Sequence, residues 1–174
     1  MTSPGFPDTP DGLRAEWQAV EAAWAQAVER VETMPPGTRD VSVNGEWSFA
    51  QTVRHLVMAT DTWLGRAILG REEPYHPLGL PNSEYETDGH DMTVFVSGTP
   101  PYDEVLRARA DRAAMVRDFL ATVTEADLAV PRANPWAPAY PETTLSCLHT
   151  ILEEEQEHLR YATRDLDAIA ATTS

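Results

Sequence analysis

Glu154 and His158 stand four residues apart in a segment of helical periodicity. A helix turns 3.6 residues per revolution, so the two lie one turn apart on one face. A carboxylate and an imidazole so placed can grip one divalent metal ion. His55, in an earlier segment of the same periodicity, could supply a third protein ligand. Three N/O ligands with an open position describe a reactive metal site better than a closed structural one. Two imidazoles and a carboxylate suit Zn²⁺, Ni²⁺ or Fe²⁺, and affinity alone does not choose among them.

Each residue also has a plainer reading. A Glu–His pair at this spacing is common on exposed helix faces, and a histidine at a helix–core boundary is often structural. Angles separate the neighbours. With His158 at zero and 100° per residue, Glu154 falls at about −40°, Cys147 and Asp165 at about −20°, and the leucine stripe at about +60° to +80°. The pair therefore borders the core. Glu155, at about +60°, is nearer the centre of the apolar face, and a buried carboxylate needs a partner. Arg109, on the corresponding stripe of another helix, is the natural one. Glu154 is thus assigned to metal and Glu155 to Arg109; the swapped assignment is the alternative. His149, at about 180°, is expected to point outward. His76 and His90 fall in a long loop, from which either could reach the site as a substrate contact or fourth ligand, exposure being the ordinary reading. Asp61 and Arg66 read as helix-surface charges.

These residues need elements to hold them. Leu13, Trp17, Val20, Trp24, Ala27, Val28 and Val31 form one apolar stripe, predicting a helix over about 11–34 that Pro35-Pro36-Gly37 ends. Residues 38–47 form a connection in which Val41, Val43 and Trp47 suggest a short extended piece. Ser48 with Gln51 is a capping-box pattern, opening a second helix that carries His55 and closes at Gly70. Residues 71–99, rich in proline and glycine, make a long irregular excursion of the kind that often covers a site. Thr99 reads as the cap of a third helix reaching about Val123. A short turn follows at 124–128, and Pro131, Pro135, Pro138 and Pro141 argue against regular structure. The fourth helix is predicted from Thr143 or Thr144 to about Ala170. Four amphipathic helices with little strand signal predict an all-α four-helix bundle.

Length and composition fit that picture. The chain has 174 residues, enough for a single domain with a sizeable core, here about 11–170 with residues 1–10 as a flexible N-terminus. Its formal charge of −15 disfavours nucleic acid, whose phosphates need Lys and Arg, and anionic membrane surfaces. Cys147 is the one cysteine, which rules out an intrachain disulfide and fits a reducing cytoplasm; it is expected to be a buried small hydrophobe. No basic-then-apolar leader is visible at the N-terminus and no apolar run is long enough to span a bilayer. Five tryptophans are many for a small core, so homodimerisation is expected.

Three segments carry a resemblance to a known family. Trp47-Ser48-Phe49 leading to His55-Leu56 and Trp63 resembles the second-helix pattern of the DinB-like superfamily, which includes the N-terminal domain of mycothiol-dependent maleylpyruvate isomerase. Arg71 to Thr99 resembles its long connection after that helix. Glu154-Glu155-x-x-His158-x-x-Tyr161-Ala162-x-Arg164-Asp165-Leu166 resembles its fourth-helix signature, the most specific of the three. The likeness covers about residues 11–170. It implies a four-helix bundle with a long crossover after helix two. It also implies metal-ligand roles for His55, Glu154 and His158, with glutamate where much of the superfamily has histidine, as in the maleylpyruvate isomerase branch. Relatives imply thiol-dependent transferases or isomerases that use mycothiol or bacillithiol.

The leading expectation is therefore a metal-dependent enzyme acting on a small-molecule substrate, most simply a thiol adduct. Water activated at the same ion could instead hydrolyse a substrate. In either case the loop 71–99 and the proline-rich segment 129–142, with Trp136 and Tyr140, would shape the pocket. The alternatives are a metal- or small-molecule-binding bundle without catalytic turnover, and a scaffold in which the pair is only surface charge.

Overall fold

Helix α1 (Pro10–Thr33) starts where its sequence says it should. Thr9 caps it by accepting from the Gly12 amide at 3.1 Å, and Pro10 occupies the first turn, where its missing N–H costs nothing. Leu13, Trp17, Val20, Trp24, Ala27 and Val31, at alternating four- and three-residue steps, are its buried residues. The computed structural model describes residues 5–173. Of the stretch expected to be a flexible N-terminus, residues 1–4 lie outside the described residues, whereas Phe6 packs against the main core.

Helix α2 (Phe49–Thr60) opens with the expected capping box: Gln51 N–H donates to Ser48 Oγ at 3.2 Å and Ser48 N–H to Gln51 Oε1 at 2.9 Å. It runs on without a break as a π-helical stretch (Asp61–Ile68), a rare geometry that concentrates at functional sites. Gly70 ends it at φ 68°, as a left-handed C-terminal glycine does. The connection after it holds a short helix, α3 (Glu84–Thr87), and a 3₁₀ turn at Met92–Val94. Helix α4 (Tyr102–Thr122) begins later than predicted. Pro101 precedes it without a side-chain cap, so Thr99 does not play that part. Helix α5 (Glu125–Leu128) is the expected short turn. Helix α6 (Thr144–Thr172) is opened by a Thr143–Ser146 capping box.

Two expectations are corrected here. The proline-rich segment does form regular structure: β1 (Pro131–Ala133) pairs antiparallel with β2 (Pro141–Thr143), Arg132 opposite Glu142. Prolines are tolerated because the ribbon is two edge strands with no central strand to supply. Conversely, the Val41–Val43 stretch is coil, interrupted by a turn in which Asn44 and Gly45 take positive φ.

Long-range contacts fix the topology. His149 touches Pro7, Gln156 touches Glu16 and Asp167 touches Arg30, so α1 and α6 run parallel. Arg54 reaches Gly98, Asp61 reaches Arg112 and Arg71 reaches Met115, so α2 and α4 are also parallel. Helix α1 packs on α4 and α6, and α2 on the same two. The bundle is thus up-down-down-up, and residues 69–101 are the long crossover that two parallel neighbours require. One core of Leu, Val, Trp and Ile side chains from α1, α2, α4 and α6 fills the centre, and a satellite of Met58, Tyr85, Phe95 and Tyr75 lies under the crossover. No helix among the described residues is long and apolar enough to cross a membrane.

Candidate metal centre

Helices α2 and α6 bring His55, Glu154 and His158 together. One ligand-type atom from each lies within 4.8 Å of the others, a spacing that could hold a metal ion. His55 Nε2 is 3.1 Å from Glu154 Oε2, and the two imidazole centroids are 4.7 Å apart. The histidine side chains are about 15% exposed and Glu154 33%, so the group sits at a wall that small molecules can reach.

Both imidazoles are oriented through Nδ1. His55 Nδ1 lies 3.0 Å from the Leu80 carbonyl, and His158 Nδ1 lies 2.8 Å from the Glu154 carbonyl. A carbonyl can only accept, so both Nδ1 atoms carry the proton, and in the neutral rings Nε2 holds the lone pair. Ligating histidines are held in this way by outer hydrogen bonds. For His55 the consequence is sharp. Its Nε2 lone pair would face a carboxylate oxygen at 3.1 Å, acceptor against acceptor. A proton on Nε2 or a cation shared by both atoms resolves the conflict. The donor set, two nitrogens and one carboxylate oxygen, is what a borderline divalent ion takes. Burial pushes the Glu154 carboxyl up, but where Nε2 of His55 carries a proton, its hydrogen bond and the charges of His55 and His158 outweigh burial and hold the group below the usual carboxylate range. Glu154 is therefore a carboxylate at neutral pH.

Glu155 does something else. Buried at 1% exposure, it accepts two hydrogen bonds from Arg109, each 2.6 Å, in a fork-to-fork pair that ties α6 to α4 through the core. Arg109 also lies over the Trp24 ring at 5.8 Å. Glu154, not Glu155, stands beside the histidines.

The crossover completes the surroundings. Arg54, one position before His55, is buried; its Nε donates to Leu78 O at 2.9 Å, and its other nitrogens donate to Gly98 O, Gly79 O and Val96 O at 3.3, 3.5 and 3.2 Å. Leu80 N–H donates back to Arg54 O at 3.2 Å. One guanidinium thus pins both ends of the loop to α2 and places the carbonyl that orients His55. Trp47 closes one side, its ring 4.6 Å from that of His55 and 6.2 Å from that of His158. A cavity of about 730 Å³ opens beside the group, walled by residues 45–47, by crossover residues 81–83 with Glu86 and Met92, and by the α6 side chains from His158 to Asp165.

Several residues lie elsewhere than the sequence suggested. Tyr140 and Trp136 do not line this cavity; Trp136 borders a separate one with Tyr85 and His90. His90 packs on Tyr85 and Trp136, while His76 Nδ1 accepts from Leu78 N–H, so both loop histidines serve the crossover instead of the triad. His149 is buried, not outward: the segment before α1 covers that face, and His149 Nε2 meets Pro7 O at 2.8 Å against the Phe6 ring. Asp61 is no surface charge. Fully buried where α2 turns π-helical, it accepts from Arg112 Nε at 2.7 Å and from the His76 amide at 2.9 Å. Burial raises its carboxyl, against the Arg112 hydrogen bond. Arg66 is exposed and Cys147 buried, as expected. Sequence reasoning passed over Arg54, Trp47 as a lid, and the α6 trio Tyr161, Arg164 and Asp165. For Asp165 the signal was present, since it shares the face of the Glu154–His158 pair.

A family model described as DinB superfamily matches residues 19–162. No curated protein and no solved structure matches the chain.

Proposed function

The chain belongs to the DinB superfamily, and we propose that it is a divalent-metal-dependent enzyme whose ion is held by His55, Glu154 and His158. The observation that carries this reading is the 3.1 Å approach of His55 Nε2 to Glu154 Oε2, with His55 held from behind by the Leu80 carbonyl at its Nδ1. Zn²⁺, Ni²⁺ and Fe²⁺ suit the donors equally. When bound, such an ion supplies Lewis acidity that makes a thiol or a water nucleophilic at neutral pH.

The chain's own residues do the rest. Leu80 and Glu154 carbonyls hold the imidazoles in the ligating tautomer. Trp47 shields the His55 ring from solvent on one side. The adjoining cavity is large enough for a small thiol together with an electrophile. The reaction class favoured is transfer or isomerisation of a thiol adduct, with mycothiol or bacillithiol as the thiol, in a cytoplasmic protein.

The test has two arms. Protein purified without chelator is subjected to elemental analysis beside a His55→Ala/His158→Ala variant; near-stoichiometric metal in the first and its loss in the second are expected. Metal-loaded protein is then given thiol and electrophile, and thiol consumption is followed. Metal without consumption supports a binding bundle that does not turn over; no metal in either preparation removes the centre.

A further inference from the structure

We infer that the cavity beside the triad selects a substrate whose far end is cationic, an amine, over one ending in a carboxylate. This rests on the reading of His55, Glu154 and His158 as a metal centre and names the substrate class of that same site.

Three carboxylates, Glu46, Glu86 and Asp165, line the cavity against one guanidinium, Arg164. That guanidinium is already engaged. Its Nε donates to Asp165 Oδ1 at 2.9 Å, its Nη2 pairs with Glu46 Oε2, and it lies 5.3 Å from the centre of the Tyr161 ring. The bonds to Asp165 and Glu46 raise its pKa further. An incoming carboxylate could use Arg164 only by breaking one of these pairs. Glu86 lies on α3 with its side chain exposed at the opposite wall, and among the described residues no ion pair holds it. Glu154 offsets one of the two charges of a bound divalent ion, and the wall carboxylates outnumber the wall guanidinium by two. The cavity is thus negative with the ion in place. Concave walls of one sign focus their field on what enters. A ligand that gives one donor atom to the ion and presents an ammonium to Glu86, the wall carboxylate without a guanidinium partner among the described residues, meets favourable charge at both ends and leaves the Arg164 pairs intact; a dicarboxylate meets it at one end only.

The experiment uses the 174-residue chain loaded with Co²⁺ at pH 7.5 and three thiols of similar size: 2-aminoethanethiol, 2-mercaptoethanol and mercaptoacetate. Binding is read from the thiolate-to-cobalt absorption band, which needs no turnover. Because the thiols differ in intrinsic affinity for cobalt, the decisive quantity is the amine-over-carboxylate ratio in the unaltered protein divided by that in Glu46→Gln/Glu86→Gln. Removing two partly exposed charges is expected to lower that ratio about fivefold, with 2-mercaptoethanol little changed. An unchanged ratio, or mercaptoacetate binding best to the unaltered protein, overturns the inference while leaving the metal centre standing. Cobalt uptake with no band for any thiol overturns the inference and the thiol chemistry together. Absence of cobalt uptake by elemental analysis is the distinct signature of a failed metal centre, and it removes the inference with it.

Discussion

His55 on α2 and Glu154 on α6 approach to 3.1 Å across the bundle, while His55 is held from behind by the Leu80 carbonyl of the crossover. Two helices and a loop therefore converge on one imidazole. Each can be perturbed separately, and the effects are distinguishable.

His158→Ala removes one of the proposed ligands and leaves a small side chain on a long helix. Metal affinity should fall by at least about 100-fold, beyond the loss typical of an outer-shell partner, with unchanged helix content. Elemental analysis and circular dichroism check this; stoichiometric metal in the variant would dismiss His158 as a ligand.

The adjacent glutamates should separate cleanly. Glu155→Ala strands the buried Arg109 guanidinium and should lower stability by about 3–5 kcal/mol, with metal still bound at saturating concentration. Glu154→Gln should lose metal while denaturing at nearly the same urea concentration. The reverse pattern would exchange their roles.

Arg54→Met keeps bulk but leaves four crossover carbonyls without their donor. Proteolysis within residues 74–98 should accelerate, amide exchange at Leu80 and Val96 should rise, and metal should bind more weakly because His55 loses its fixed carbonyl. Lysine should not rescue, since a point charge cannot reproduce the fork. An unaltered exchange pattern would show that the loop holds itself.

Cys147, wholly buried, has its thiol pushed up to about 11 by burial, against an ordinary 9.0. The folded pKa exceeds the unfolded one, so the stabilising contribution is complete below pH 9 and is lost as pH rises towards 11. On the order of 2 kcal/mol should disappear across that window, and less in Cys147→Ala, as read from urea melts. At pH 8 the thiol should react with a disulfide reagent only after unfolding; rapid reaction in the fold would refute its burial.

Much of this was legible beforehand, for physical reasons. The apolar stripes of α1 and α6 repeat at the helical period, and their caps are local, so both helices were visible in the sequence. The triad was readable because Glu154 and His158 share a helix face, and Glu155 with Arg109 because both lie on stripe centres. What escaped depends on distant backbone. Arg54 looks like a surface charge until carbonyls 24 to 44 residues away are folded onto it. Asp61 is buried by Arg112 and the His76 amide, and His149 by the segment before α1; neither helix records this in its own periodicity. The β1–β2 ribbon was hidden because its prolines suit an edge strand as well as a loop.

The parallel course of α2 and α4 has a consequence for how such a protein can change. Returning along a helix of about 30 Å needs only about ten extended residues, yet the chain uses residues 69–101, roughly three times that length. The surplus is where the cavity wall and the His55 tether are written. The lining of the cavity can therefore drift by editing a stretch whose minimum length topology already guarantees, with the four rods and the side chains they bring together left untouched.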